Sequence, residues 1–384
     1  MGISMSEVLR ATGLTRSGRV MDATRLIKRM LGLERPGSRK EPFQPTPPDS
    51  AISLLPAPLV VDVPSVVVEA PAVSFPLEPV APARPLSFTK HDFAYANEQY
   101  TYRIYLPGSG KFVASSPSPQ PVVVMLHGCK QDAADFAAGT AMNELAEQRK
   151  CIVLYPEQRT KANGMRCWNW FETTHQKRDS GEPGMIAALT REVLANPTYN
   201  ADPARVYICG LSAGGAMAAV VAGQHPDLFA AVGVHSGLPS GAASDVMSAF
   251  SAMRSGATRS ALAKGKDGAV PTIVFHGDAD KTVHPDNGDD VVNAALTTLG
   301  ASGVALDKLP TIDSNPMHVP DSRATQRTIY RAADGKSYVE HWAIASGPHA
   351  WSGGNPTGSY TDPQGPGASL AMLDFFLQHQ RQVA

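Results

Sequence analysis

A hydroxyl, a carboxylate and an imidazole, in the order Ser212, Asp280, His349, are the side chains whose types and spacing could carry covalent chemistry in this chain. Ser212 sits in Gly210-Leu-Ser-Ala-Gly214, after the β-prone run Val206 to Cys209 and before the helix formers Ala216 to Ala222. In a strand, sharp turn and helix of this kind, a serine oxygen projects from strained backbone. Glycines are needed two residues before and after it because side chains there would meet the neighbouring strand and helix. A serine is a weak nucleophile at neutral pH, so it needs a base, and the base needs an acid to fix its tautomer and stabilise its cation. The apolar run 272–275 ends in His276-Gly-Asp-Ala-Asp280, where Asp280, further into the loop than Asp278, is placed to reach across the sheet; Asp278 is read as supporting the turn. His349 follows a second strand-like run in the loop Gly347-Pro-His349. The order serine, acid, histidine is that of α/β-hydrolase triads.

A tetrahedral oxyanion also needs donors. The amide of Ala213, at the positive end of the helix after the turn, is one. The loop His127-Gly-Cys129 after the apolar run 121–126 offers the other, at the Cys129 N–H. Losing one such donor typically costs about 100- to 1000-fold in rate. Among the other histidines, His127 and His276 read as parts of strand-end turns, His341 as a strand residue and His225 as a surface residue, while His235 and His284 read as walls of the cleft. Cys151 and Cys209, in apolar runs, read as buried small hydrophobes. Four cysteines in 384 residues are no disulfide framework and match no zinc spacing, so neither metal nor cofactor is expected.

The positioning elements follow from periodicity. An edge strand is expected at 100–106, a strand covered on both faces at 121–126, a helix over 133–149 and a strand at 151–155. A long loop, 156–184, carries Cys167-Trp-Asn-Trp-Phe171. A helix at 185–195 leads to the Ser212 strand; strands at 230–234 and 272–275 flank a small-residue insertion, 236–268. Two alternating runs around Asp334-Gly335 form a hairpin, and an amphipathic helix covers 369–380. Strands alternating with helices give an α/β fold: a doubly wound, mostly parallel sheet with helices on both faces, whose ligands bind beyond the carboxyl ends of the strands.

Composition bounds the partners. Net charge is −1 with 18% charged residues, which argues against nucleic acid and suits a small-molecule or oligomeric substrate. No apolar run approaches the roughly 20 residues that span a bilayer, and residues 1–35 lack the pattern of a secretory signal, so a cytoplasmic location is expected. Residues 5–32 read as a helix with Val20, Ala23 and Ile27 on one face and Arg19, Arg25, Lys28 and Arg29 on the other. Such a helix docks on its own domain or a second subunit, or lies on a membrane or granule surface. Thirteen prolines between 36 and 85 predict an extended, disordered linker, so the organisation expected is a helical segment 1–35, a linker 36–86 and a catalytic domain 87–384.

Taken together, Leu126-His-Gly-Cys-Lys-Gln131, Cys167-Trp-Asn-Trp-Phe171, Gly-Leu-Ser-Ala-Gly-Gly215, His-Ser-Gly-Leu-Pro239, His-Gly-Asp-Ala-Asp280 and Gly-Pro-His-Ala-Trp351 resemble the polyhydroxybutyrate depolymerase family of esterases, with feruloyl and acetylxylan esterases as near relatives. The resemblance spans about 90–380. It implies an α/β-hydrolase fold, attack on esters of short hydroxyacids, and Ser212, Asp280 and His349 as the triad. It also implies a Cys129–Cys167 disulfide beside the oxyanion hole and a substrate subsite lined by Trp168 and Trp170, with Trp351 grouped beside them. The export signal and polymer-binding domain of secreted family members are not visible, which shifts the expected substrate towards soluble oligomers or an intracellular ester. The basic N-terminal helix would then be the element that meets a polyester granule.

Overall fold

The computed structural model describes residues 87–108, 118–257, 268–314 and 322–382. The expected N-terminal helix and proline-rich linker lie outside the described residues. The folded unit begins with the antiparallel pair β1 (Ser87–Tyr95) and β2 (Glu98–Leu106), followed by β3 (Gln120–Leu126), helices α1 (Ala133–Thr140) and α2 (Met142–Arg149), and β4 (Ile152–Glu157). After the aromatic loop come α3 (Gly181–Ala195), β5 (Ala201–Leu211), α4 (Ala213–Gln224), β6 (Ala231–His235), α5 (Val246–Ser255), β7 (Thr272–Gly277) and α6 (Asp286–Ala301). Short β8 (Asp307–Lys308) and β9 (Ile312–Ser314) precede the hairpin β10 (Thr325–Arg331) and β11 (Ser337–Ile344), and α7 (Ala368–Phe376) packs last.

The strand order is β1-β2-β4-β3-β5-β6-β7-β11-β10-β8, with β9 also on β10. From β4 to β11 every neighbouring pair is parallel, and the antiparallel pairs lie outside that block. All seven residues of β3 are buried, as a strand covered on both faces requires. Its side chains alternate between two cores. Val122, Val124 and Leu126 join the core under α3, α4 and α6, while Val123 and Met125 join the one under α1, α2 and α7. The carboxyl ends of β3, β5, β7 and β11 therefore open on one edge of the sheet, between the two helical layers.

Three expectations change. Residues 100–106 are not an edge strand, because β1 pairs along the whole of β2 and takes the edge. The helix over 133–149 is broken at Ala141, which adopts left-handed backbone (φ 50°) although alanine is the best helix former. The freed Thr140 carbonyl accepts from the Ser369 hydroxyl at 2.6 Å, so tertiary contact satisfies the break. His225 is no surface residue: the turn in which Leu228 and Phe229 amides donate to its carbonyl tucks the ring inside, fully buried at the end of α4.

Buried neutral imidazoles make this fold sensitive to acid. His235 is pushed down to about 3 by burial, helped by the nearby His276 and His349, and His379 to about 4 by burial. Unfolded, both titrate near 6.5. Because the folded values are depressed, their contribution is complete above pH 6.5 and is lost as pH falls from there towards 4, by about 1.4 kcal/mol per pH unit for each ring. Urea unfolding at pH 7 and pH 5 should show a clear loss of stability at pH 5; equal midpoints would contradict this account.

Candidate active site

Ser212 links β5 directly to α4 at φ 58° and ψ −121°, a strained conformation for a residue with a side chain. Its amide continues the sheet by donating to the His235 carbonyl at 2.9 Å, and its side chain makes no capping bond to α4, which leaves the hydroxyl clear of the helix. The two flanking glycines are where the backbone needs them. A Cβ on Gly210 would lie 2.5 Å from the Leu126 carbonyl oxygen, and one on Gly214 would collide with the carbonyl oxygens of both Leu126 and His127. The helix can thus rest directly on the end of β3.

His349 and Asp280 are joined by a 2.7 Å bond from Nδ1 to Oδ2. The other carboxylate oxygen accepts the Thr282 and Val283 amides at 2.8 and 2.9 Å. Burial alone would raise the Asp280 pKa, but the His276 and His349 contacts and the Val283 amide together hold it well below the usual carboxylate range. The loops carrying the pair are laced to each other: the Asp278 amide donates to Ile344, the Ala279 amide to Gly347, and the Ser346 amide to the Asp278 carboxylate at 2.6 Å. Asp278 therefore fixes the turn while Asp280 meets the imidazole. Among the described residues no hydrogen bond joins the Ser212 hydroxyl to His349; contacts of this kind commonly tighten only when substrate is bound.

His276 proves to be more than a turn residue. Its Nε2 lies 3.0 Å from the Val283 carbonyl, which can only accept, so Nε2 carries the hydrogen; the same nitrogen is 3.6 Å from Asp280 Oδ2. Both imidazoles thus approach the same carboxylate oxygen. Sequence spacing gave no sign of this, because an imidazole four residues before a carboxylate in a turn has no fixed direction.

The oxyanion loop is held by its own histidine. His127 Nδ1 donates to the Gly128 carbonyl at 2.8 Å, and its Nε2 accepts the Gln158 amide at 3.1 Å. The Gly128 carbonyl also accepts the Gln131 amide. Since C=O and N–H of one planar peptide point in opposite directions, these bonds turn the Cys129 N–H the other way. Neither that amide nor the Ala213 amide has an acceptor among the described residues. The Cys129–Cys167 disulfide is formed. Beyond it, Trp168 Nε1 donates to the His127 carbonyl at 3.1 Å. Buried Glu182 accepts from the Asn169 amide and side chain at 2.7 Å each and from Gln158 at 2.5 Å. Glu182 is the hub of the long loop, and its place one residue into α3 gave no sequence signal.

The subsite expectations need correction. Trp168 (0% exposed) and Trp170 (4%) are packed inside, where Trp168 braces the oxyanion loop and both offer a substrate almost no surface. Phe171, edge-on to Trp170 at 5.7 Å, is the partly accessible ring of that segment. His235 is buried between Phe275 and Trp351, with Nε2 accepting the Ser352 amide at 3.0 Å, so it is no cleft wall. Trp351 is equally buried, donating to the Ser369 hydroxyl at 3.0 Å. His284 alone of these candidates is exposed, near Asp286 at 3.4 Å.

This geometry can be set beside known proteins. The sequence matches the profile of the family described as Esterase PHB depolymerase over residues 100–306, more than half of the chain. The chain belongs to this esterase family. Poly(3-hydroxyalkanoate) depolymerase C of Paucimonas lemoignei is 32% identical over 61% of the chain and 55% of its own length. Poly(3-hydroxybutyrate) depolymerase of Ralstonia pickettii is 27% identical over 71% and 58%, and acetylxylan esterase A of Emericella nidulans 28% identical over 51% and 66%. The chain thus spans less than two thirds of the length of each of these relatives. The solved acetyl xylan esterase from Aspergillus awamori superposes with a TM-score of 0.55 at 19% identity, covering 75% of the chain and 98% of that structure, which shows the shared α/β-hydrolase fold.

The disulfide closes a loop of 38 residues. Cys167→Ser should therefore cost about 4 kcal/mol on a chain-entropy account, seen as a lowered thermal midpoint, and should free the oxyanion loop; an unchanged midpoint would count against that bracing role. In His276→Phe, Asp280 loses a contact that helps to hold its pKa low, and becomes the more basic partner in its 2.7 Å bond to His349. The acid limb of the kcat/KM profile should then move up by roughly half a pH unit, while His276→Gln, which keeps an N–H, restores it. Superimposable profiles for wild type and His276→Phe would remove His276 from the relay.

Proposed function

We propose that the chain is a serine carboxylester hydrolase that cleaves short-chain hydroxyacid esters such as oligo(3-hydroxybutyrate) through an acyl-enzyme. The observation that carries the reading is the bonded Asp280–His349 pair on the same edge of the sheet as a strained, uncapped Ser212. In this mechanism His349 takes the Ser212 proton as the hydroxyl attacks the ester carbonyl, and Asp280, whose pKa is held low, keeps the imidazole in the correct tautomer and stabilises its cation. The amides of Ala213 and Cys129 receive the oxyanion, and His349 then delivers the proton to the departing alcohol. Water attacks the acyl-enzyme with His349 again as base, returning the serine and releasing the acid.

The similarity to the two depolymerases favours hydroxyacid polyesters or oligomers as the substrate class. The similarity to an acetylxylan esterase supports a second reading, an esterase of plant cell-wall acyl groups, since one triad serves whatever ester the cleft admits. Product release from 3-hydroxybutyrate oligomers and from methyl ferulate, measured side by side, separates the two. The expected result is preferential release of hydroxybutyrate, reduced at least 1000-fold in Ser212→Ala with the fold intact. Preference for ferulate would favour the second reading, and activity retained in Ser212→Ala would remove the serine mechanism.

A further inference from the structure

A groove of about 370 Å³ lies beside Asp132 and Ala134, just after the oxyanion loop in the chain, and five cations line it: Lys90, Arg103, Arg159, Lys161 and Arg166. Its acids are already engaged. Glu157 accepts from Thr101 at 2.6 Å and pairs with Lys90 at 3.3 Å. Asp132 caps α1 through the Ala134 and Asp135 amides and meets Arg166 at 3.4 Å. Glu98, beside the groove, is occupied by Arg159 at 2.6 Å. Five cations against these three carboxylates leave a local excess of two positive charges in a chain whose net charge is −1. Arg103 also lies 4.0 Å from Glu157, and the Arg159 guanidinium stacks on Tyr100 at 4.2 Å, so Lys161 is the lining cation that forms no salt bridge among the described residues. A groove with a net positive charge concentrates counter-charge.

Its position gives that charge a use. Asp132 lies three residues from Cys129, a stretch that spans at most about 11 Å, and Arg166 immediately precedes Cys167. Gln158, also in the lining, donates to the Cys167 carbonyl at 3.0 Å. The groove is therefore built on the two segments that the disulfide joins beside the candidate oxyanion donor. We propose that it is a subsite for the free carboxylate of a linear hydroxyacid oligomer whose ester is held at Ser212, an inference that rests on the esterase reading above. A chain bearing a terminal carboxylate would be anchored a few ester units from the bond that is cut, and polymer ends or released oligomers would be favoured over capped esters.

The test compares the 3-hydroxybutyrate trimer with a free carboxylate and its methyl ester, on the full chain and on the Lys161→Gln/Arg166→Gln double variant. The wild type should show a KM about tenfold lower for the free acid at low salt, and the ratio of the two KM values should fall to about one in the variant. Equal KM values in the wild type, or a ratio kept by the variant, would overturn the subsite. Calorimetry on Ser212→Ala protein reads the groove without turnover. Trimer acid that binds the Ser212→Ala chain more tightly than its methyl ester, and loses that advantage when the two substitutions are added, upholds the groove even if neither compound is hydrolysed by the wild type, in which case only the esterase reading falls. Inorganic phosphate bound as tightly as the trimer acid would make this a general anion site and overturn the oligomer assignment.

Discussion

Everything at this site depends on how closely two backbones approach. Because Gly214 lacks a Cβ, the first turn of α4 rests on the carbonyl oxygens at the end of β3. The nucleophile turn and the oxyanion loop are then one packed unit, with neither free to move alone. Gly210 meets the same carbonyl from the strand side, so the contact is closed from both directions. The strain at Ser212 persists because these contacts over-determine its backbone.

Around that contact the structure spends its buried polar groups on orientation. His127 fixes a peptide plane, Trp168 fixes His127, and Glu182 fixes the loop that carries Trp168. On the other side Asp278 fixes the turn that presents Asp280, and His276 backs the carboxylate. The bonds of His127, Trp168 and Glu182 lie in a low-dielectric interior, where a preorganised dipole is worth far more than in water. Catalytic candidates and braces alternate along the same strand ends, which is why a motif read as chemistry often contains a residue that is scaffold.

That alternation also explains what could be read from the sequence. Strand ends, the nucleophile turn and the order of serine, acid and histidine are local patterns of hydrophobic runs stopped by glycine and proline, and they were legible. The choice between Asp278 and Asp280 followed from loop depth alone. The roles of Trp168, His235 and Trp351 were not legible, since in strands covered on both faces and in the loops beyond them a ring can turn to solvent or core with the same local sequence. The break at Ala141 was hidden because the carbonyl it frees is satisfied by a residue far along the chain, Ser369, while Pro226 after His225 marks the end of a helix but not which way the ring turns.

The order of strands in space has a consequence for biosynthesis. The chain leaves the ribosome with β3, the oxyanion loop and the Ser212 turn ahead of β7, and β11 with His349 later still, yet β11 must lie against β7 to complete the pair. A growing polypeptide can pack its nucleophile turn against the loop while the base is unmade. On the proposed mechanism, Ser212 has no base to activate it until the sheet has received its β10–β11 hairpin.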